Sequence, residues 1–346
     1  MKETPGFSLS KYLAYKLHVP FVWVVVAAAL LAVSAAVVWA APQSSGDLSQ
    51  QIFDTMLKVH GTAPRTRPVH AKGVVCDATF TPSHAAATLS SAAHFQGGKT
   101  PVTVRFSDGA PDPSIPDNSP NAYPRGIAIR FLLPGGEKTD IVAISHNGFV
   151  VGSGEEFLAL QQSIVATDPS KPHPWPVEQF VGAHPRALKF IQDGKPTPDS
   201  FATESFFANN ALVFVNKTGV RQPFRYQILP VAGSHYLDDA EVQSKSPEYL
   251  FDELKARLPK GPIKYRLIAQ LPNPGDATAD SSVVWPADRK TVELGVITIT
   301  AIVADSDAAQ KALAFDPTLL PDGIELSDDP LPELRSKVYA LSAMHR

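Results

Sequence analysis

Short β-branched runs separated by Gly, Pro and Asp constrain this chain most. Val102-Thr103-Val104-Arg105-Phe106, Gly126-Ile127-Ala128-Ile129-Arg130-Phe131 and Asp140-Ile141-Val142-Ala143-Ile144 read as strands. Further strands are expected over 211–216, 224–230, 263–271 and 291–303. Helices are expected over 154–166, 176–192, 246–258, 305–314 and 330–344, and Pro185 must break or kink the second of them. Many strands without βαβ alternation predict an α+β chain, an antiparallel sheet or barrel surrounded by helices. The 32 prolines fit stiff loops better than long bundled helices.

The N-terminal region carries a different signal. Between Pro20 and Pro42, residues 21–41 are apolar except for Ser34. At about 1.5 Å per residue a helix of that length spans the hydrocarbon core of a bilayer. Lys2, Lys11 and Lys16 outweigh Glu3 before the run, and the first charge after it is Asp47. That bias keeps the N-terminus in the cytoplasm and sends the remainder across, with Trp23 and Trp39 near the two interfaces. The competing reading is a cleaved signal peptide, with Val38 and Ala40 as the small residues before a cut at Ala41. The expected organisation is a cytoplasmic N-terminus over 1–20, a transmembrane anchor over 21–41, a linker and short helix over 42–66, and the main domain over 67–346. Asp47 is placed to cap that short helix, and Leu48, Ile52, Met56 and Leu57 share one of its faces. The expected location is the inner membrane of a bacterium, single-pass, with the main domain in the periplasm or outside. No twin-arginine pair precedes the run, so export would be of an unfolded chain.

Composition removes several function classes. The 31 basic residues stand against 34 acidic ones, a net charge of −3, which argues against nucleic acid as the main partner. Cys76 is the single cysteine, so an intramolecular disulfide or a multi-cysteine zinc site is impossible. There is no HExxH helix, no P-loop and no GxGxxG after a strand, and Gly152-Ser153-Gly154 has the wrong spacing for a nucleophile elbow. No two histidines stand three or four residues apart, so a helical His–His metal site is not indicated.

Four patterns remain. They are Arg67-Pro68-Val69-His70-Ala71-Lys72-Gly73; Val104-Arg105-Phe106-Ser107; Pro124-Arg125-Gly126-Ile127-Ala128-Ile129-Arg130-Phe131 followed by Asp140-Ile141-Val142; and Phe315-Asp316-Pro317, Gly323-Ile324, then Arg335-Ser336-Lys337-Val338-Tyr339. In this order they resemble the haem catalases, and more closely the shorter catalase-related peroxidases of that superfamily. The resemblance runs from about Arg67 to Arg346. It implies a catalase-like antiparallel β-barrel with surrounding helices, haem (iron protoporphyrin) as cofactor, and peroxide with a small organic reductant as partners.

The resemblance also assigns roles. Tyr339 matches the proximal iron ligand, a phenolate, and Arg335 lies one helical turn before it, on the same face. His70 matches the distal histidine that moves the peroxide proton from one oxygen to the other, and Ser107 matches the serine that orients its ring. Arg67, Arg105 and Arg346 match arginines that hold the haem propionates. The match loosens at the distal amide. Large catalases carry Asn-Asn four and five residues past the strand aspartate, where this chain has Ile144 and Ser145. Asn147 is the nearby candidate, although Asn147-Gly148 equally reads as a turn, and His146 is placed to intrude on the pocket instead. Phe149 and Phe157 are candidates for the pocket wall or for ordinary core, and Cys76 reads as a small buried hydrophobe.

The implied activity is a haem peroxidase that uses hydrogen peroxide or organic hydroperoxides to oxidise organic donors, with weak catalase activity. The chain stops seven residues after Tyr339, which implies a more open pocket and bulkier substrates. Two alternatives share its landmarks: a haem hydroperoxide isomerase or dehydratase, and a non-catalytic haem-binding barrel.

Overall fold

Along each main strand, side chains alternate between a packed interior and an outer face, and this alternation is what closes the sheet. The computed structural model describes residues 47–60, 66–193 and 196–346. The expected anchor over 21–41 lies outside them. Among the described residues, no helix is long and apolar enough to cross a membrane.

The strands of the main sheet are β1 (Gly73–Pro82), β2 (Thr100–Ser107), β3 (Gly126–Leu132), β4 (Lys138–Ile144), β5 (Phe206–Val215), β6 (Arg221–Pro230), β7 (Ile263–Gln270), β8 (Thr291–Ile302) and the short β9 (Ile324–Leu326). Every neighbouring pair is antiparallel. The order β5-β4-β3-β2-β1-β8-β7-β6 closes on itself because β6 pairs back onto β5, giving an eight-stranded barrel to which β9 adds beside β5. Closure removes the exposed edges that an open sheet would present.

Phe80, Phe106, Phe131, Phe206, Phe224 and Tyr265 fill the barrel interior. Phe214 stacks on Phe224 with ring centroids 3.5 Å apart, and Phe106 stacks on Phe201 at 4.9 Å. Each buried phenylalanine contributes about 1.5–3 kcal/mol of hydrophobic stabilisation. Cys76 is part of this core, and burial pushes its thiol up to about 12.

The main helices are α1 (Leu48–His60), α2 (Gly154–Val165), α3 (Pro176–Ala183), α4 (Pro185–Gln192), α5 (Tyr249–Arg257), α6 (Ser306–Ala312) and α7 (Leu331–Met344). Pro185 ends α3 and opens α4, because a proline lacks the N–H a helix interior needs yet suits its first position. Ser153 caps α2 by accepting from the Glu156 amide at 3.2 Å.

Two features go beyond the sequence reading. β1 was not expected as a strand; Gly73 and Asp77 interrupt its β-branched pattern, and it is held by ladders to β2 and β8 on both sides. Helix α1 turns its apolar face inward. Its Ile52 and Met56 pack against Leu158 of α2 and Val338 of α7, joining it to the same body as the barrel.

Candidate active site

Strand register builds the floor of the site. Gly73, Ser107, Gly126 and Ile144 lie in one row across β1–β4, and Val75, Arg105, Ala128 and Val142 in the next. Period two turns Arg105 and Ser107 away from Val104 and Phe106, which are fully buried in the barrel. The outer face therefore carries polar groups on small neighbours. A Cβ at Gly73 would lie 2.3 Å from the Arg105 guanidinium, and one at Gly126 would lie 2.9 Å from the His70 ring and 2.8 Å from Ser107 Oγ. Both glycines are thus required by close approach.

His70 does not sit on a strand or its edge. It occupies the irregular segment before β1 with φ +56°, the one non-glycine residue with positive φ among the described residues. Such a conformation costs about 1–3 kcal/mol and persists where surroundings over-determine it. Here its amide donates to the Gly109 carbonyl at 3.3 Å, and Arg105 Nη2 donates to its carbonyl at 2.9 Å. Its ring Nδ1 is 3.2 Å from Ser107 Oγ. Burial, with Arg105 next, lowers its pKa to about 4, so the imidazole is neutral at neutral pH.

Helix α7 forms the opposite wall. Asp329 accepts from the Leu331 amide at 2.9 Å and starts the helix. Leu331, Arg335, Val338, Tyr339, Ser342 and Arg346 then face one cavity at helical spacing. Arg335 reaches Tyr339 Oη with Nη2 at 2.9 Å and Nε at 3.3 Å. Its Nη1 donates to Asn210 Oδ1, and Asn210 Nδ2 donates to Asp329 at 2.8 Å, so a hydrogen-bonded chain runs from the phenol into the protein.

Between His70 and Tyr339 lies a cavity of about 790 Å³, within the range of cofactor sites. Three arginines converge at one end of it. Arg67 donates to the carbonyls of Gln310 and Leu313 at 3.0 and 2.9 Å, Arg346 reaches the same two at 3.4 and 3.2 Å, and Arg105 Nε donates to the Gln310 side chain at 3.1 Å. Among the described residues no carboxylate pairs with any of the three. Burial and then Arg346 push Arg67 down to about 10; burial also lowers Arg346, and burial with both neighbours lowers Arg105 further. One buried and two half-buried guanidinium forks without described acidic partners suit a ligand that carries carboxylates of its own. A phenol across from a neutral imidazole offers one iron ligand and one proton acceptor. The residues present therefore fit haem.

The structure brings together Arg67, His70, Arg105, Ser107, Phe149, Phe157, Arg335, Tyr339 and Arg346 on this cavity. Asn147 is not among the lining residues. The side-chain amides that line the cavity belong to Asn121, Gln161, Asn209 and Asn210, none of them singled out by the sequence. Asn209 and Asn210 are adjacent. They occupy a bulge in β5, between Ala208 and Leu212, which re-aims their side chains. Asn209 holds the 146–148 turn, donating to the His146 carbonyl at 3.1 Å and accepting from the Gly148 amide at 2.8 Å. Adjacent asparagines in the otherwise apolar strand Phe206-Phe207-Ala208-Asn209-Asn210-Ala211-Leu212 were the available signal. His146 is not among the lining residues either; its ring packs at a tilt on Phe190 and bonds Tyr123.

Comparison with known proteins agrees with this geometry. The family model described as Catalase matches residues 49–346. A catalase-related peroxidase of Mycolicibacterium paratuberculosis is 33% identical over 306 residues, covering 88% of this chain and 96% of that protein. One from Synechococcus elongatus is 32% identical over 333 residues, 94% and 96% of the two chains. The fold is similar to that of a fungal catalase, with TM-score 0.71 at 18% identity over 85% of this chain and 62% of the other. It is also similar to a bacterial catalase, with TM-score 0.69 at 19% identity over 98% and 70%. The chain belongs to the catalase family, as an oxidoreductase acting on peroxide that is similar to the catalase-related peroxidases.

Proposed function

We propose that this protein is a haem peroxidase that uses organic hydroperoxides or hydrogen peroxide to oxidise small organic donors, with the bulkier peroxides favoured. The observation that carries the reading is one cavity bounded by His70–Ser107, Arg335–Tyr339 and three arginines with no acidic partner among the described residues. Tyr339 would hold the iron through its phenolic oxygen, and Arg67, Arg105 and Arg346 would hold the propionates. When bound, the haem supplies the electrons that cleave the peroxide O–O bond.

The chain's own residues then divide the work. Two guanidinium N–H groups of Arg335 stabilise negative charge on the Tyr339 oxygen. With Nδ1–H donated to Ser107 Oγ, the Nε2 of His70 is free to take the proton from one peroxide oxygen and return it to the departing one. Asn210 braces Arg335 from Asp329, and Asn209 fixes the 146–148 turn, so these two amides support the walls of the cavity. Leu160, Ile164, Val181, Phe190 and Ile191 line the cavity with apolar surface, which favours a hydroperoxide with a hydrocarbon tail.

The test is haem-loaded protein turned over with a long-chain alkyl hydroperoxide and with hydrogen peroxide, a phenolic donor present. The reading expects donor oxidation, with the higher kcat/KM for the alkyl substrate and little oxygen release from hydrogen peroxide. Rearranged or dehydrated hydroperoxide without donor oxidation would mean an isomerase or dehydratase; no turnover of any peroxide would mean a haem-holding barrel.

The same proposal includes an inner-membrane anchor over 21–41 and a periplasmic or external catalytic domain, supported by the apolar run and the lysines before it. Intact chain released from membranes only by detergent supports it. A mature chain that begins at Ala41 in a soluble fraction overturns it.

A further inference from the structure

We propose that Tyr123 is a redox-active tyrosine of this site: it gives one electron to the peroxide-oxidised haem centre and its phenolic proton to His146. The neutral phenoxyl that remains takes one hydrogen atom from the organic donor, which restores the phenol, and the proton on His146 leaves by way of Asp193. Each cycle of the relay moves one electron and one proton. The oxidant is the centre after reaction with peroxide, so this inference rests on the haem peroxidase reading above.

Position is the first argument. Tyr123 lines the same cavity as His70 and Tyr339. Two backbone hydrogen bonds tie its segment to the distal histidine: His70 N to Gly109 O at 3.3 Å, and Gly109 N to Ala122 O at 2.8 Å. The backbones press together there, for a Cβ at Gly109 would lie 2.3 Å from the Pro124 carbonyl and 3.1 Å from the Tyr123 carbonyl carbon.

The proton acceptor is the second. Tyr123 Oη lies 2.5 Å from His146 Nδ1, and the imidazole is 7% exposed, packed at a tilt against Phe190 with ring centroids 4.0 Å apart. A phenol that loses an electron becomes a strong acid, so its oxidation requires a base already in hydrogen-bonding contact. Burial is the main cause that lowers His146 to about 4, which keeps that base unprotonated at neutral pH. On the far side of the ring, Asp193 Oδ2 is 3.8 Å from Nε2, close to solvent. It supplies the counter-charge for the imidazolium that forms, and Lys189 pairs with its other oxygen at 2.5 Å. Arg125, Glu204 and Tyr236 also act on the phenol electrostatically. The His146 backbone is held separately by Asn209.

The other tyrosines among the described residues lack this combination. Tyr226 is buried in the barrel core, off the cavity lining. Tyr249 and Tyr265 donate to the carbonyls of Pro198 and Phe201, which cannot accept a proton, and Tyr236 donates to Glu204 away from the cavity. Tyr339 faces a guanidinium, which has no lone pair to offer.

The experiment is rapid freezing of haem-loaded full-length protein after mixing with an alkyl hydroperoxide, without donor, followed by electron paramagnetic resonance. The inference expects a phenoxyl signal that narrows when ring-deuterated tyrosine is placed at position 123 alone, a change that leaves the fold untouched. It expects at least a tenfold smaller signal in Tyr123→Phe and in His146→Phe. An unaltered line on site-specific deuteration, or no tyrosyl signal despite a peroxide-dependent change in the haem absorption band, overturns the relay. An equal radical yield in His146→Phe overturns the proton transfer. If the haem band does not respond to peroxide at all, the peroxidase reading fails and takes this inference with it.

Discussion

Arg67→Met tests whether the arginine cluster is built for an anionic ligand. In the protein alone, Arg67 is held down to about 10 by burial and by Arg346. Displacement from the ordinary guanidinium range to that value corresponds to about 3 kcal/mol against the charged form, less some solvent screening because the side chain is half-buried. Its hydrogen bonds to the Gln310 and Leu313 carbonyls offset part of that, about 1 kcal/mol each. Arg346 reaches both carbonyls as well, so removal of Arg67 leaves neither wholly unpaired. The cofactor-free variant should therefore be as stable as the parent to within about 1 kcal/mol. With haem bound, the variant lacks one charge-assisted pair worth roughly 1.5–3 kcal/mol, a loss in haem affinity of about 10–100-fold. Denaturant unfolding of both forms, with a haem titration, measures the two changes separately. A cofactor-free variant destabilised by about 3 kcal/mol or more, with haem-induced stabilisation unchanged, would refute the reasoning.

Gly126→Ala puts a methyl group 2.8–2.9 Å from Ser107 Oγ and the His70 ring, so the ring must shift and the Ser107 contact lengthen; haem content should hold while peroxide cleavage by stopped flow falls about 10–100-fold. An unchanged cleavage rate would show that the ring does not need that position. His94 is buried among Phe80, Phe95 and Phe131, its Nδ1 has no partner, and burial lowers it to about 3. Its folded pKa is below the unfolded value of about 6.5, so the unfolded chain binds the extra proton as pH falls through that window and stability is lost in acid. Between pH 7.5 and 5 the parent should lose about 2 kcal/mol more than His94→Phe in denaturant unfolding; parallel curves would contradict the assignment.

What the sequence revealed and what it hid divide along contact distance. The strand at 126–131, the break at Pro185 and the Arg335–Tyr339 pair are local: each depends on residues within one or two turns. The strand Gly73–Pro82 was missed because Gly73 and Asp77 weaken its own pattern while partners on both sides hold it. The left-handed backbone at His70 depends on Gly109 and Arg105, far along the chain. Spacing from the strand aspartate points to Asn147, which does not line the cavity. Asn209 and Asn210 do, because a bulge in another strand re-aims them. No local signal pairs Tyr123 with His146 or assigns the latter its place outside the cavity lining.

The central claim is that Tyr339 holds the cofactor from helix α7, and the most direct measurement is the absorption spectrum and haem content of Tyr339→Phe beside the parent. The substitution removes the phenolic oxygen that two N–H groups of Arg335 address and leaves the ring in place. The account predicts an iron–phenolate charge-transfer band in the haem-loaded parent, its loss in the variant, and haem retention at least about tenfold weaker. A variant with the parent's spectrum and full haem content would contradict it.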